Sequence, residues 1–180
     1  MPAPDFKTLY DFSVIETAVE ALAATADPTM AWLTGFDAAQ FQKSRPRVEC
    51  YLEPGNPFGT PAHYVNTASD GARRVNGWQG TLRTMLITPT QSGATEEAAA
   101  QASYSLHMKW RAFVQNLFAT LDHALADNFT LLPYHQVARV WDAGSSSKIA
   151  PQEGVYTSQL NHNLIYSIRP SAFPGGLTNA

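Results

Sequence analysis

The side chains able to do chemistry are few and scattered. Of the five histidines, His107, His123, His135 and His162 show no His-Glu-x-x-His or His-x-His spacing, and the two on one predicted helix, His107 and His123, stand sixteen positions apart. Such spacing points to no metal centre. It leaves His107 on the polar flank of a helix and His162 on a half-buried strand face. The lone cysteine, Cys50, sits at an apolar strand position, where burial raises a thiol's pKa and makes it inert, and one cysteine excludes a disulfide framework. Gly144-Ser145-Ser146-Ser147 lacks the strand-turn-helix setting of a nucleophile elbow. Gly55-Asn56-Pro57-Phe58-Gly59 is followed by no lysine leading into a helix, so it is not a phosphate loop. Glu49 and Glu53 lie near one strand end and suit a solvated or arginine-paired role. An enzymatic site would have to be assembled in space around His135, His162 and Glu49.

What is left is surface for partners. Arg45, Arg47, Arg73 and Arg74 make a basic rim, yet the net charge is −3 and the isoelectric point 5.9, the wrong balance for a nucleic-acid binder. Tyr51, Phe58, Tyr64, Trp78, Trp141 and Tyr156 fall on strands or in adjacent loops, and aromatic residues with arginine are the commonest interface anchors. Packing beneath the loops is the competing role for each. Charged residues make up only 15% of the chain, against roughly 25% in ordinary globular domains. A surface finished with neutral polar groups suits a subunit of a large assembly. Residues 1–42 carry a net −5 and residues 43–83 a net +3. That asymmetry suits head-to-tail contact between copies, or mutual neutralisation within one fold.

The elements that must position these residues follow from periodicity. With 180 residues, 44% of them hydrophobic, the chain reads as one domain over residues 1–180, able to bury roughly 70% of its unfolded surface. The N-terminus shows no basic and apolar leader, and no apolar run nears the roughly 20 residues that cross a bilayer, so neither a signal peptide nor a membrane span is expected. Ser13 and Glu16 have capping-box spacing ahead of an apolar stripe at Val14, Ile15, Val19, Leu22 and Ala26, ended by Asp27-Pro28. Residues 28–46 are ambiguous between a short helix and a packed loop. Arg47–Leu52 alternates as a strand buried on one side. A long loop covers residues 54–76. Gly77–Thr88 is a second strand, and Leu106, Trp110, Phe113, Val114, Leu117, Leu121 and Leu125 stripe one helix from Glu96 to Asp127, roughly 45 Å long. Strands at His135–Asp142 and Ser158–Ile168 flank a loop over 143–154, and an extended tail covers 169–180. The order predicts an α+β fold, a mainly antiparallel sheet of about four strands packed against the long helix and the shorter N-terminal one.

This outline resembles the tail terminator, or tail-completion, family of tailed bacteriophages. The resemblance rests on the order of the first helix, strand Arg47–Leu52, the loop, strand Gly77–Thr88, the long helix, and the closing run from Leu132-Pro133-Tyr134-His135 to Tyr166-Ser167-Ile168-Arg169-Pro170. It implies a non-enzymatic virion protein without metal or cofactor, assembled in the host cytoplasm. Copies would form a homo-hexameric ring at the phage neck, capping the tail tube and meeting the head-completion or stopper protein, with a lumen that DNA can traverse. The 54–76 loop would dock partners, the tail would meet neighbours, and Phe58, Tyr64, Arg73, Arg74, Trp78, Arg169 and Phe173 would make the contacts. The alternatives are another neck or minor tail component, a small enzyme built on His135, His162 and Glu49, and a ligand-binding α+β domain with a closed apolar cavity.

Overall fold

Asp11, rather than Ser13, caps the first long helix: its carboxylate takes the Ser13 N–H at 3.1 Å and the Ser13 hydroxyl at 2.5 Å. The computed structural model describes residues 5–26, 31–34, 46–56, 77–91, 93–152 and 155–169. Within them the elements run α1 (Phe6–Leu9), α2 (Ser13–Ala26), β1 (Trp32–Thr34), β2 (Arg47–Glu53), β3 (Gly77–Pro89), α3 (Glu96–Ala119), α4 (Leu121–Ala126), β4 (His135–Gln152) and β5 (Val155–Ile168). Glu16, expected to complete a capping box, instead accepts the Leu52 N–H of β2 at 2.6 Å. A half-buried strand donor needs that acceptor more than an exposed helix start does.

The fold is α+β, with a five-stranded sheet in the order β1-β2-β3-β5-β4. β2 with β3, β3 with β5 and β4 with β5 pair antiparallel, while β1 runs parallel to β2. The sheet is therefore mixed and one strand larger than the alternation predicts, because β1 lies in the stretch that was ambiguous. β3 and β4 both run against β5, so α3 and α4 carry the chain across β5 from one of its flanks to the other.

One face of the sheet and the helices share the core. Val48 and Cys50 of β2, Leu82 and Leu86 of β3, and Leu160, Leu164 and Tyr166 of β5 pack on Ile15 and Val19 of α2, Trp110, Val114 and Phe118 of α3, and Leu121 and Leu125 of α4. The alternation of strand side chains places these on one side and their neighbours on the other.

Two expectations are corrected. The helix expected to run unbroken to Asp127 stops at Ala119 and restarts at Leu121. Thr120 breaks it: its hydroxyl bonds back to the Asn116 and Leu117 carbonyls, and its backbone leaves helical geometry at φ −116° and ψ 3°. The loop expected over 143–154 is mostly strand, since β4 continues to Gln152 and β5 begins at Val155. Gly144 at φ 99° and register shifts at Asp142/Ser145 and Lys148/Gln152 absorb the irregularity. Local composition spelled a loop there; pairing with β5 overrode it.

Candidate functional site

The residues of the enzymatic alternative do not converge. His135 opens β4 with Nε2 2.8 Å from the Leu9 carbonyl oxygen and its ring edge-on to Phe12 at 5.6 Å. His162 is six positions from the residue that pairs with His135 on β5, so the two lie roughly 20 Å apart along the strand. Its ring stacks on Phe118 at 4.4 Å. Glu49 projects from the opposite face of the sheet and is held by Arg47 at 2.6 Å. Burial lowers the pKa of both histidines; at His135 the Leu9 carbonyl and Asp11 act against it, and at His162 Asp142 does. Among the described residues no group of three or more His, Cys, Asp and Glu side chains could hold a metal ion. Burial pushes the Cys50 thiol up to about 12, in contact with Thr84 Oγ1 at 3.6 Å.

A hydroxyl and an imidazole that were not paired in sequence do meet. His107, expected on a polar flank, is 0% exposed, with Nε2 2.8 Å from Ser158 Oγ and Nδ1 3.1 Å from Thr88 Oγ1. A nucleophile-base pair would need a third group to raise the imidazole's basicity, and an open path to substrate. Here a threonine stands in the third position, all three side chains are sealed, and burial, with Arg111 adding to it, lowers the His107 pKa. The contact ties α3 to β3 and β5. One signal for it is spacing: Ala99, Ser103, His107, Trp110, Val114 and Phe118 form the buried stripe of α3, turned from the purely apolar one.

Trp78 and Arg169, named as contact residues, both face their own chain. Trp78 is half-buried, its ring 4.8 Å from Phe12, 5.8 Å from Tyr10 and stacked on Tyr166 at 6.3 Å. Arg169 is 4% exposed. It donates to the Ala126 carbonyl at the end of α4 at 2.9 Å and to Leu132 O at 3.2 Å, and its guanidinium covers the Phe129 ring at 4.1 Å. Terminal helix carbonyls lack intrahelical partners, which is why a cation is drawn inward there. Phe58, Tyr64, Arg73, Arg74 and Phe173 lie outside the described residues, as do most of the 54–76 loop and all of the tail beyond Arg169.

The described helices pack on the first face of the sheet and leave the second face to side chains of the strands. Arg47 and Glu49 pair at 2.6 Å, and Arg83 and Glu53 at 2.6 Å. Thr81 Oγ1 donates to Asn163 Oδ1 across the strands at 2.8 Å, and Gln159 Nε2 to Asn161 Oδ1 at 3.1 Å. Above this net-neutral lattice stand Tyr51 and Met85, 48% and 40% exposed. The sequence marked Tyr51 as a contact candidate but not Met85, although alternation along the strand already sets Met85 on the same face as Gln79, Thr81 and Arg83.

Among the described residues no helix is long and apolar enough to cross a membrane. No family model and no curated protein matches the chain. A solved structure aligns at a TM-score of 0.41 and 12% identity, over 89% of this chain and 96% of the other. A likeness at that level carries no argument about fold or function.

Proposed function

We propose that this chain is a structural virion protein of a tailed phage: a ring-forming tail terminator that caps the tail tube and joins it to the head-completion proteins. The observation that supports it is the sheet face turned away from the described helices, where both carboxylates, Glu49 and Glu53, are paired with arginines of the same face and Tyr51 and Met85 stand exposed. Internally paired charges cost less to press against another subunit than isolated ones, and a tyrosine and a methionine supply the apolar anchors. A ring acts by geometry rather than by chemistry. Copies that close on themselves leave one surface for tube subunits to bind once and none that extends the tube.

The test combines light scattering with negative-stain microscopy of one purified fraction, alone and with tube protein. Rings of about six copies that shorten growing tubes are expected. A chain that stays monomeric in the presence of tube protein and leaves tube length unchanged overturns the reading.

A further inference from the structure

The two sides of the sheet differ in charge. Residues 5–26 and 96–127, which contain α1 to α4, hold eight carboxylates against three lysines and arginines, a net −5 that the Arg169 guanidinium at the end of α4 reduces by one. This helical layer packs on the first face of the sheet. Of its acids, Asp5, Asp11, Glu96, Glu97 and Asp127 are exposed. On the second face Glu49 and Glu53 are each held by an arginine, Arg47 and Arg83. Pairing with Ile165 sets Arg139 on that same face. It is exposed, forms no ion pair among the described residues, and lies 5.8 Å from the Trp141 ring. Among the described residues the second face therefore has an unpaired cation and no unpaired carboxylate. Each side also carries an exposed apolar pair: Tyr51 and Met85 on the strands, and Tyr104 and Met108, about one turn apart, on α3.

We propose that the second sheet face of one copy seats on the helical layer of the next. This rests on the ring-forming reading and names the surface that Tyr51 and Met85 meet. A ring of more than two copies around one axis needs a heterologous contact, because a patch that meets itself closes at a dimer. The sheet face must then find a different surface on its neighbour. Charge selects which one: set against the helical layer, Arg139 meets an excess of carboxylates, whereas a second sheet face has none free for it. Complementarity of this kind contributes register and specificity more than affinity. Contact area comes from the two apolar pairs, of residue types common among interface anchors.

Photocrosslinking of assembled full-length chain, with benzoylphenylalanine in place of Tyr51 and peptide mapping of the crosslinked dimer, tests this. Crosslinks into residues 5–26 or 96–127 of the other copy are expected. Crosslinks into β2 to β5 of the other copy overturn the proposal and leave the ring reading standing. Arg139→Glu, at an exposed position, is expected to weaken assembly about tenfold at low salt and Arg139→Lys much less, with the difference shrinking as sodium chloride rises from about 0.05 to 0.5 M. An Arg139→Glu chain that assembles as well as the unsubstituted one also overturns the proposal. An unsubstituted chain that stays monomeric with tube protein present overturns the ring reading, and this proposal with it.

Discussion

Ser158 and His107 are buried 2.8 Å apart, so removing either leaves the other's polar atom without water or partner. Ser158→Ala is expected to cost about 1–3 kcal/mol in urea unfolding. Replacing Thr88, His107 and Ser158 together with apolar residues of similar shape should cost less than the three single changes combined, since no polar atom is then left unsatisfied. Burial also makes the histidines a source of acid sensitivity. The pKa values of His107, His135 and His162 all lie below the ordinary 6.5. Below pH 6.5 the unfolded chain therefore binds more protons than the folded one, and stability, complete above that pH, falls as the pH drops toward the folded values. Glu16, whose pKa burial raises above 4.5, acts in the opposite sense and softens the loss. Urea midpoints measured from pH 7.5 down to pH 5 should decrease; a flat profile would show that these imidazoles are not held neutral.

At the scale of elements, the rotation of the α3 stripe is open to direct test. Phe118 is 1% exposed whereas Leu117 only half-enters the core. Phe118→Ala is expected to cost about 3–5 kcal/mol, and Leu117→Ala less than half of that, by chemical denaturation. Hydrophobicity alone ranks Leu106, Phe113 and Leu117 above Ser103 and His107. It misplaces the stripe because both polar side chains are satisfied where they are buried: the Ser103 hydroxyl donates to the Ala99 carbonyl of its own helix and accepts the Gln91 N–H, and His107 is held by Thr88 and Ser158. The strands were more legible. β2, β3 and β5 each bury one face, and alternation records that burial residue by residue. β1 was not, being three residues long, nor was the distal half of β4, whose Gly144-Ser145-Ser146-Ser147 run takes its conformation from β5 across the hairpin. Trp78 and Arg169 were expected to contact other chains; within this chain they pack on Phe12 and Tyr166 and on the end of α4, partners that only the three-dimensional fold brings to them.

For the whole molecule, the sheet face turned away from the described helices carries the assembly reading and should be separable from the fold. Tyr51→Glu with Met85→Glu adds two charges at positions 48% and 40% exposed. Surface changes of this kind cost little in monomer stability, commonly within about 0.5 kcal/mol each, but burying an unpaired carboxylate opposes association. Loss of rings in light scattering with an unchanged melting profile is the expected result. Rings that survive the double change would move the subunit contact to another surface.

The position of β5 has a further consequence, for the order in which the molecule can be made. β5 is the last of the described elements, yet it lies between β3 and β4 and pairs with both along its length. Until it leaves the ribosome, β3 and β4 have no common neighbour, and the edges they turn to β5 stay unpaired while synthesis continues. Pairing Gly77 with Ser167 and Trp78 with Tyr166 closes long chain loops, the kind of non-local contact that slows folding and lengthens exposure to aggregation. The sheet thus closes late and from its centre, and a nascent chain stalled before Val155 cannot complete it.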